Sequence, residues 1–400
     1  MISKKSIHRF LVLGAGLMGR AVVWDLIKSD PSNRVIVVDS SQDSLRQLKK
    51  RIQNPAVRIQ KLDITNWRAV GKLMSTVDVT INATSYKYNV QLSKLAVQAG
   101  CHFCDMGGNE TVVSGQNKLA ARARKKKITI VPACGLAPGM VNVIAIHLVK
   151  MFDKVDHIQI RVGGLPQKPR PPLDYQLVFS AEGLLNEYLE PATVIHFGKT
   201  KKVNSLEGEE LISFPEPYDF MEAFYTSGGL GQLPKMLKGK VYMMDYKTIR
   251  FWGHAEKMRM LLGLGFSSGD PVNVGKLKMT KRKFIEEFFT KNLSFGDPDI
   301  VLARVKVIGS VRGKTKQKMW ECIDRLDKKT KLTAMMRTTS FPTSIIAQML
   351  AKGEIRRPGV WSPEQCVPTE LFVKELGKRK IRWFEDRSLV WPRRPVQYVN

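Results

Sequence analysis

Phe10-Leu11-Val12-Leu13-Gly14-Ala15-Gly16-Leu17-Met18-Gly19 sets an apolar run directly against three glycines at the spacing G-x-G-x-x-G. The run reads as a buried strand, and the residues from Ala21 to Ile27 carry a helical pattern. Each glycine has its own physical reason. Gly14 permits a tight strand-to-helix turn, Gly16 lets the backbone approach a pyrophosphate, and Gly19 lets helix and strand pack closely. The unpaired N–H groups and positive end of the helix then hold phosphate, with Ala15, Leu17 and Met18 completing the loop. A second apolar strand, 35–38, ends in Asp39 and Ser40, and Asp39 stands twenty residues past Gly19. An acid at that distance takes the ribose 2′-hydroxyl of a dinucleotide. No basic residue immediately follows it, and its carboxylate would repel a 2′-phosphate, so the expected cofactor is NAD rather than NADP.

Outward from this loop, strands read at 10–13, 35–38, 57–62, 77–82, 101–105 and 129–132. Helical patterns lie between them at 17–29, 42–51, 67–75, 89–98 and 110–126. Such alternation is the sign of a parallel sheet covered on both faces. The expected class is α/β: an N-terminal Rossmann dinucleotide-binding domain over 1–135, then an α+β substrate and dimerisation domain with a mixed sheet over 136–343. Strand signals in the second domain fall at 158–162, 193–196, 247–251, 301–308, 321–327 and 333–338. A helix at 344–351 and the tail to residue 400 are expected to return to the first domain. Ligands of open α/β sheets bind beyond the carboxyl ends of the strands. That rule nominates Asp39, Asp63 with Ile64, the run Asn82, Ala83, Thr84, Ser85 and Tyr86, and Asp105 with Met106 and Gly107; Leu136, after the sixth strand, joins the cofactor set.

Composition bounds the rest. Hydrophobic residues make up 43% of the 400, enough for ordinary globular cores, and no apolar run is long enough to span a membrane. A cytoplasmic protein is expected, because the basic N-terminus leads into the first strand without a convincing cleavage site. Five scattered cysteines give no disulfide framework. Cys101 and Cys104 have C-x-x-C spacing but no second pair, so no metal site is expected. The net charge of +29 could draw nucleic acid. Its basic runs, at 122–127, 276–283, 312–318, 328–331 and 378–382, lack the interleaved aromatics of a single-strand groove. No specific nucleic-acid partner is expected.

Further along the chain, distinctive stretches recur in order. They are Val162-Gly-Gly-Leu-Pro166, Arg170-Pro-Pro-Leu-Asp-Tyr175, Val178-Phe-Ser-Ala-Glu-Gly-Leu-Leu185, Glu222-Ala-Phe-Tyr-Thr-Ser-Gly-Gly229, Tyr246-Lys-Thr-Ile-Arg250 and Gly253-His-Ala-Glu-Lys257. With these, nearly the whole chain resembles the saccharopine-dehydrogenase-like oxidoreductases, and within them the L-lysine 6-dehydrogenases. The resemblance implies NAD-dependent oxidation of the lysine ε-amine to an imine. Water would release ammonia and the 6-semialdehyde, which cyclises to piperideine-6-carboxylate. A homodimer or higher homo-oligomer is expected with it. The family's pocket patterns fall on Ser85-Tyr86, Asp105–Gly107 and Thr248–Arg250, with Tyr225 and Thr226 beside them.

Two departures bear on the substrate. Saccharopine-forming enzymes carry Asn-Arg-Asp before their Thr-x-Arg, and this chain has Thr226-Ser-Gly-Gly229, without the arginine suited to a second carboxylate. The Asp-x-Gly-Gly-His of lysine dehydrogenases reads Asp105-Met-Gly-Gly-Asn109, and Asn109 cannot serve as a general base. Individual residues keep two readings each. Arg250 offers a fork to a carboxylate or a salt bridge at a strand end. His254 takes a proton or braces a loop. Asp105 holds the substrate ammonium or caps a helix. Tyr86 covers the nicotinamide or simply packs, and Asp63 flanks the adenine or makes a turn. The alternatives to a lysine-type enzyme are a saccharopine or carboxyspermidine type of secondary-amine dehydrogenase, a silent dinucleotide sensor, and a basic nucleic-acid binder.

Overall fold

The computed structural model describes residues 7–274 and 277–385. The described residues divide into two compact units, one made of those up to His147 with Met336–Ile381, the other of those within Leu148–Met335 with 382–385. The sequence places these divides at 135 and 344 instead.

The first unit opens with β1 (Arg9–Leu13), α1 (Leu17–Ser29), β2 (Arg34–Asp39), α2 (Gln42–Arg51), β3 (Val57–Lys61), α3 (Trp67–Met74) and β4 (Val79–Asn82). After a 3-10 turn at Tyr86–Tyr88 come α4 (Asn89–Ala99), β5 (His102–Asp105), α5 (Glu110–Asn117), α6 (Ala120–Lys125), β6 (Thr129–Val131) and α7 (Met140–Val149). Helix starts follow local chemistry: Ser41 accepts from the Ser44 N–H at α2, Asn66 from Ala69 at α3, and Asn109 from Val112 at α5. The expected helix over 110–126 is therefore two. All six strands run parallel in the order β3-β2-β1-β4-β5-β6. On one face Leu11, Leu13, Leu92, Ala96, Phe103 and Ile130 pack into a single buried cluster, burial that supplies the main driving force for the layer.

The second unit is built on β7 (Lys154–Pro166), α8 (Ala181–Leu189), β8 (Ala192–His196), β9 (Lys199–Val203), β10 (Glu210–Ile212), β11 (Met221–Tyr225), α9 (Leu233–Leu237) and β12 (Met243–Phe251). It continues through α10 (His254–Gly263), β13 (Pro271–Val274), β14 (Leu277–Thr280), α11 (Lys281–Asn292), β15 (Asp299–Val311) and β16 (Lys314–Arg325). Its sheet is mixed: β12 and β7 pair in parallel, while β10–β11, β11–β12, β7–β15 and β15–β16 are antiparallel. One face carries Tyr175, Leu184, Leu185, Tyr188, Phe224 and Phe289, and the other carries Leu165, Ile212, Phe214, Ile249 and Leu302.

The last segments are α12 (Ala334–Ala351), β17 (Gly359–Val360), α13 (Pro363–Cys366), α14 (Thr369–Lys378) and β18 (Phe384–Glu385). β17 adds a seventh parallel strand beside β6. β18 pairs with β16, so this part of the tail joins the second sheet, contrary to expectation, and residues 386–400 lie outside the described residues. The strand expected at 333–338 is instead the start of α12. Its first N–H groups, on Ala334 and Met335, are accepted by the two carboxylate oxygens of Asp299 at 2.7 and 2.9 Å. That cap comes from a residue thirty-five positions away, and a local pattern carries no trace of it.

Candidate functional site

In the first unit the glycine loop behaves as its spacing demands. Gly14 sits at φ +103, and a Cβ there would meet the Ala83 carbonyl at 2.9 Å. A Cβ on Gly19 would lie 1.9 Å from the Gly14 carbonyl oxygen. Gly16 differs, because the space where its Cβ would stand has no atom within 4 Å. Gly16 is the N-cap of α1 and no side chain caps that end. Leu17, the first helical residue, is 53% exposed. A tight turn, an open approach to the backbone and an uncapped helix end together fit a pyrophosphate.

Asp39 holds this loop in place: its carboxylate accepts the Ala15 N–H at 2.7 Å and the Ser41 N–H at 2.7 Å. Ser40 beside it is exposed. Each carboxylate oxygen has a second lone pair, so these bonds leave Asp39 able to accept a hydroxyl. Asp63, at the end of β3, is exposed and accepts from the Thr65 N–H and hydroxyl, both at 2.8 Å, which hold its carboxyl below the usual range; Ile64 next to it is buried. Asn82 is buried, donates to Asn89 at 2.5 Å and accepts from Thr84. Asn89 in turn donates to the Gly107 carbonyl, tying the ends of β4 and β5 together. Ala83 donates its N–H to Leu13, Ser85 is exposed, and Tyr86 is half-buried in the 3-10 turn. Met106 is half-buried and Leu136 buried.

Asp105 does not cap the following helix. It is 1% exposed, and its carboxylate accepts from the N–H groups of Gly107 and Ala133 and from Gln116 Nε2. Burial pushes its carboxyl up to about 6, against those hydrogen bonds. Asp105 thus clamps the loops after β5 and β6, while Asn109 caps the helix.

In the second unit the pattern Thr248–Arg250 is drawn to one face of the sheet. Thr248 and Thr226 are both buried, and their hydroxyls lie 2.6 Å apart. Arg250 is 2% exposed, with its guanidinium carbon 4.7 Å from the centre of the Tyr175 ring. Its Nε donates to the Tyr188 hydroxyl at 2.9 Å and Nη1 donates to its neighbour's carbonyl, that of Ile249. Among the described residues no carboxylate forms an ion pair with it and nothing accepts from Nη2. Burial works against the charge, and Tyr188, Tyr175 and Glu187 more than offset that, so the pKa of Arg250 is raised.

His254 completes a chain of donors and acceptors. Its Nδ1 lies 3.0 Å from the Leu173 carbonyl, which can only accept, so Nδ1 carries the proton. Nε2 then accepts from the Tyr188 hydroxyl at 3.0 Å. Burial, with the Arg250 charge next, lowers its pKa to about 3. A neutral, buried imidazole with both nitrogens engaged orients Tyr188. Of the two readings of His254, the geometry favours the brace.

Tyr225 is separated from the group altogether. Side chains alternate across a strand, and Tyr225 pairs with Lys247, not Thr248. It lies on the opposite face, where the Lys247 Nζ is 4.9 Å from its ring. That face holds a buried ionic cluster: Arg161 joined to Glu210 and Asp245, and Lys247 to Glu210 at 2.9 Å.

Three side chains in the second unit escaped the sequence reading. Glu222 caps α10 through the N–H groups of Gly253 and Ala255. Tyr188 stands at the centre of the Arg250–His254 chain. Glu187 shares its helix, where burial pushes its carboxyl up to about 7 against the pull of Arg250. An acid three residues after the buried Leu184, on the packed side of an amphipathic helix, is the signal that could have found it.

Two family models match consecutive parts of the chain. The family model described as the saccharopine dehydrogenase NADP binding domain matches residues 10–131. The one described as the saccharopine dehydrogenase C-terminal domain matches residues 135–381. The chain is similar to the saccharopine dehydrogenase (NADP(+), L-glutamate-forming) of Saccharomyces cerevisiae, 22% identical over 271 residues. That match takes in 65% of this chain and 58% of the yeast protein, less than two thirds of its length. It is also similar to the carboxyaminopropylagmatine dehydrogenase of Synechocystis sp., 19% identical over 399 residues, covering 94% of this chain and 97% of that protein. The solved structure of the apo yeast saccharopine dehydrogenase (L-Glu forming) shares the fold, with a TM-score of 0.78 at 18% identity over 95% of this chain and 99% of that one.

Proposed function

This chain belongs to the saccharopine dehydrogenase family, and from that premise we propose that it is an NAD-dependent dehydrogenase of an amino-acid side-chain amine, with the ε-amine of L-lysine as substrate. The observation that carries the reading is Arg250, a buried guanidinium whose hydrogen-bond partners are all neutral. Burying a charge is costly, and an unpaired one is retained where function uses it. An amino-acid carboxylate is the natural partner, since the fork accepts it by two hydrogen bonds.

The stretch from Thr226 to Gly229, which carries no arginine, supports a substrate with one carboxylate to satisfy here. A Cβ on Gly229 would stand 2.4 Å from the Tyr246 ring, so no larger side chain fits at that position. Asp39 favours NAD, because its carboxylate sits where a 2′-phosphate would meet like charge; the NADP(+) in the yeast relative's name belongs to that protein. Gly14, Gly16, Gly19 and Asp39 would hold the dinucleotide, which supplies the two-electron acceptor when bound. A secondary amine is the second reading, and it rests on the likeness to carboxyaminopropylagmatine dehydrogenase over nearly the full length of both chains.

The test compares kcat/KM of wild type and Arg250→Ala with L-lysine and with cadaverine, which lacks the carboxylate. Losing the charged fork costs about 2–5 kcal/mol with lysine, and much less with cadaverine. Equal proportional losses on both would remove Arg250 from carboxylate binding.

A further inference from the structure

Arg250 has a counterpart of opposite sign in the same cluster. Glu187 lies one residue before Tyr188, whose hydroxyl accepts from Arg250 and donates to His254. Its own main-chain carbonyl accepts the Ser227 N–H at 3.0 Å, which brings α8 against the Thr226–Thr248 pair. The side chain is half-buried, and among the described residues its carboxylate has neither a hydrogen bond nor an ion pair. The groups that act on it electrostatically are Arg250 and Tyr246 of β12, Tyr175 from the segment before α8, and Tyr188 of α8 itself. From the other packed elements, α10 presents the neutral His254, and Arg282 of α11 is engaged by Glu286 and Asn186. A lone carboxylate beside tyrosines and one guanidinium is chemically suited to an ammonium group, as the guanidinium is to a carboxylate.

We propose that Glu187 binds the reacting ammonium of the substrate and takes its proton. This rests on the amine-dehydrogenase reading above and adds to it the residue that prepares the amine. An N–H bond of the ammonium breaks, an O–H bond forms on the Glu187 carboxylate, and the nitrogen keeps the electron pair. That lone pair is what formation of the C=N bond requires, so an ammonium that stays protonated cannot react. Burial of Glu187 suits the task, because a carboxyl that titrates near 7 is both a competent base and partly ionised at neutral pH.

The experiment pairs Glu187→Gln, which keeps the shape and removes the base, with Glu187→Asp, which keeps the base. On the full-length protein, kcat/KM for L-lysine is measured against pH. Calorimetry gives the affinities of L-lysine and L-norleucine, which differ only in the terminal amine. The proposal expects Glu187→Gln to lower kcat/KM at neutral pH by about 10²–10⁴-fold and to abolish the wild-type acid limb near 7. Glu187→Asp keeps a limb at reduced rate. Glu187→Gln weakens lysine binding and leaves norleucine binding unchanged. An unaltered acid limb, or equal changes in the two affinities, would overturn it. If wild type oxidises no amine, the reading of the reaction fails alone, and the lysine-to-norleucine comparison still decides whether Glu187 meets the ammonium.

Discussion

Gly16 and Gly19 sit three residues apart and answer to different constraints. A methyl group on Gly19 would drive into the Gly14 carbonyl at 1.9 Å, whereas one on Gly16 would meet nothing within 4 Å. Gly16 has φ −67, which alanine adopts freely. Gly16→Ala should therefore fold with a loss of only about 0.5–1 kcal/mol from the poorer N-cap. Its dinucleotide affinity should fall at least tenfold, by about 1.4 kcal/mol or more, because the methyl occupies the approach to the backbone. Thermal melts and fluorescence titration with NAD separate the two effects, and unchanged affinity would mean the pyrophosphate lies elsewhere. These glycines were legible in the sequence because their reason is local backbone geometry. Asp105 and His254 were not. Their partners, Ala133 and Gln116 for one, Leu173 and Tyr188 for the other, arrive from distant segments. The sequence could show that a carboxylate ends β5, but not that three donors would close around it.

At the scale of elements, local periodicity located every strand of the first sheet except β17, whose two residues are too few to carry a pattern. It misread the start of α12, 333–338, as a strand, a stretch in which Thr333 and Thr338 suit a strand by composition. Tertiary capping decides the matter. Asp299 is buried, and its carboxylate binds the two N–H groups that open the helix. Asp299→Ala leaves both donors without that partner, and should destabilise the protein by about 1–2 kcal/mol. Urea unfolding of the two proteins measures this, and a difference below about 0.3 kcal/mol would show that the helix starts without its cap. Strand alternation was legible in β12 but its consequence was not. Tyr225 and Thr226 are adjacent in sequence, and the pleat sends Tyr225 to the ionic cluster and Thr226 toward Thr248.

For the whole molecule, the parallel N-terminal sheet and the family followed from the alternation of elements and the ordered motifs, since both are written along the chain. The net charge of +29 has no counterpart in the chemistry: Arg122, Arg124, Lys125, Lys314, Lys316, Lys328 and Lys378 are all exposed. Among the described residues no helix is long and apolar enough to cross a membrane. The proposed function rests on two constellations, the glycine loop with Asp39 in one unit and Arg250 with Glu187 and Tyr188 in the other. Both are engaged by one measurement: initial rates of NAD and NADP reduction with L-lysine, L-ornithine, cadaverine and saccharopine. The account predicts that L-lysine with NAD is the most efficient pair, with cadaverine well behind for want of a carboxylate. Efficient turnover of saccharopine with NADP, or firm dinucleotide binding with no amine oxidised, would contradict it.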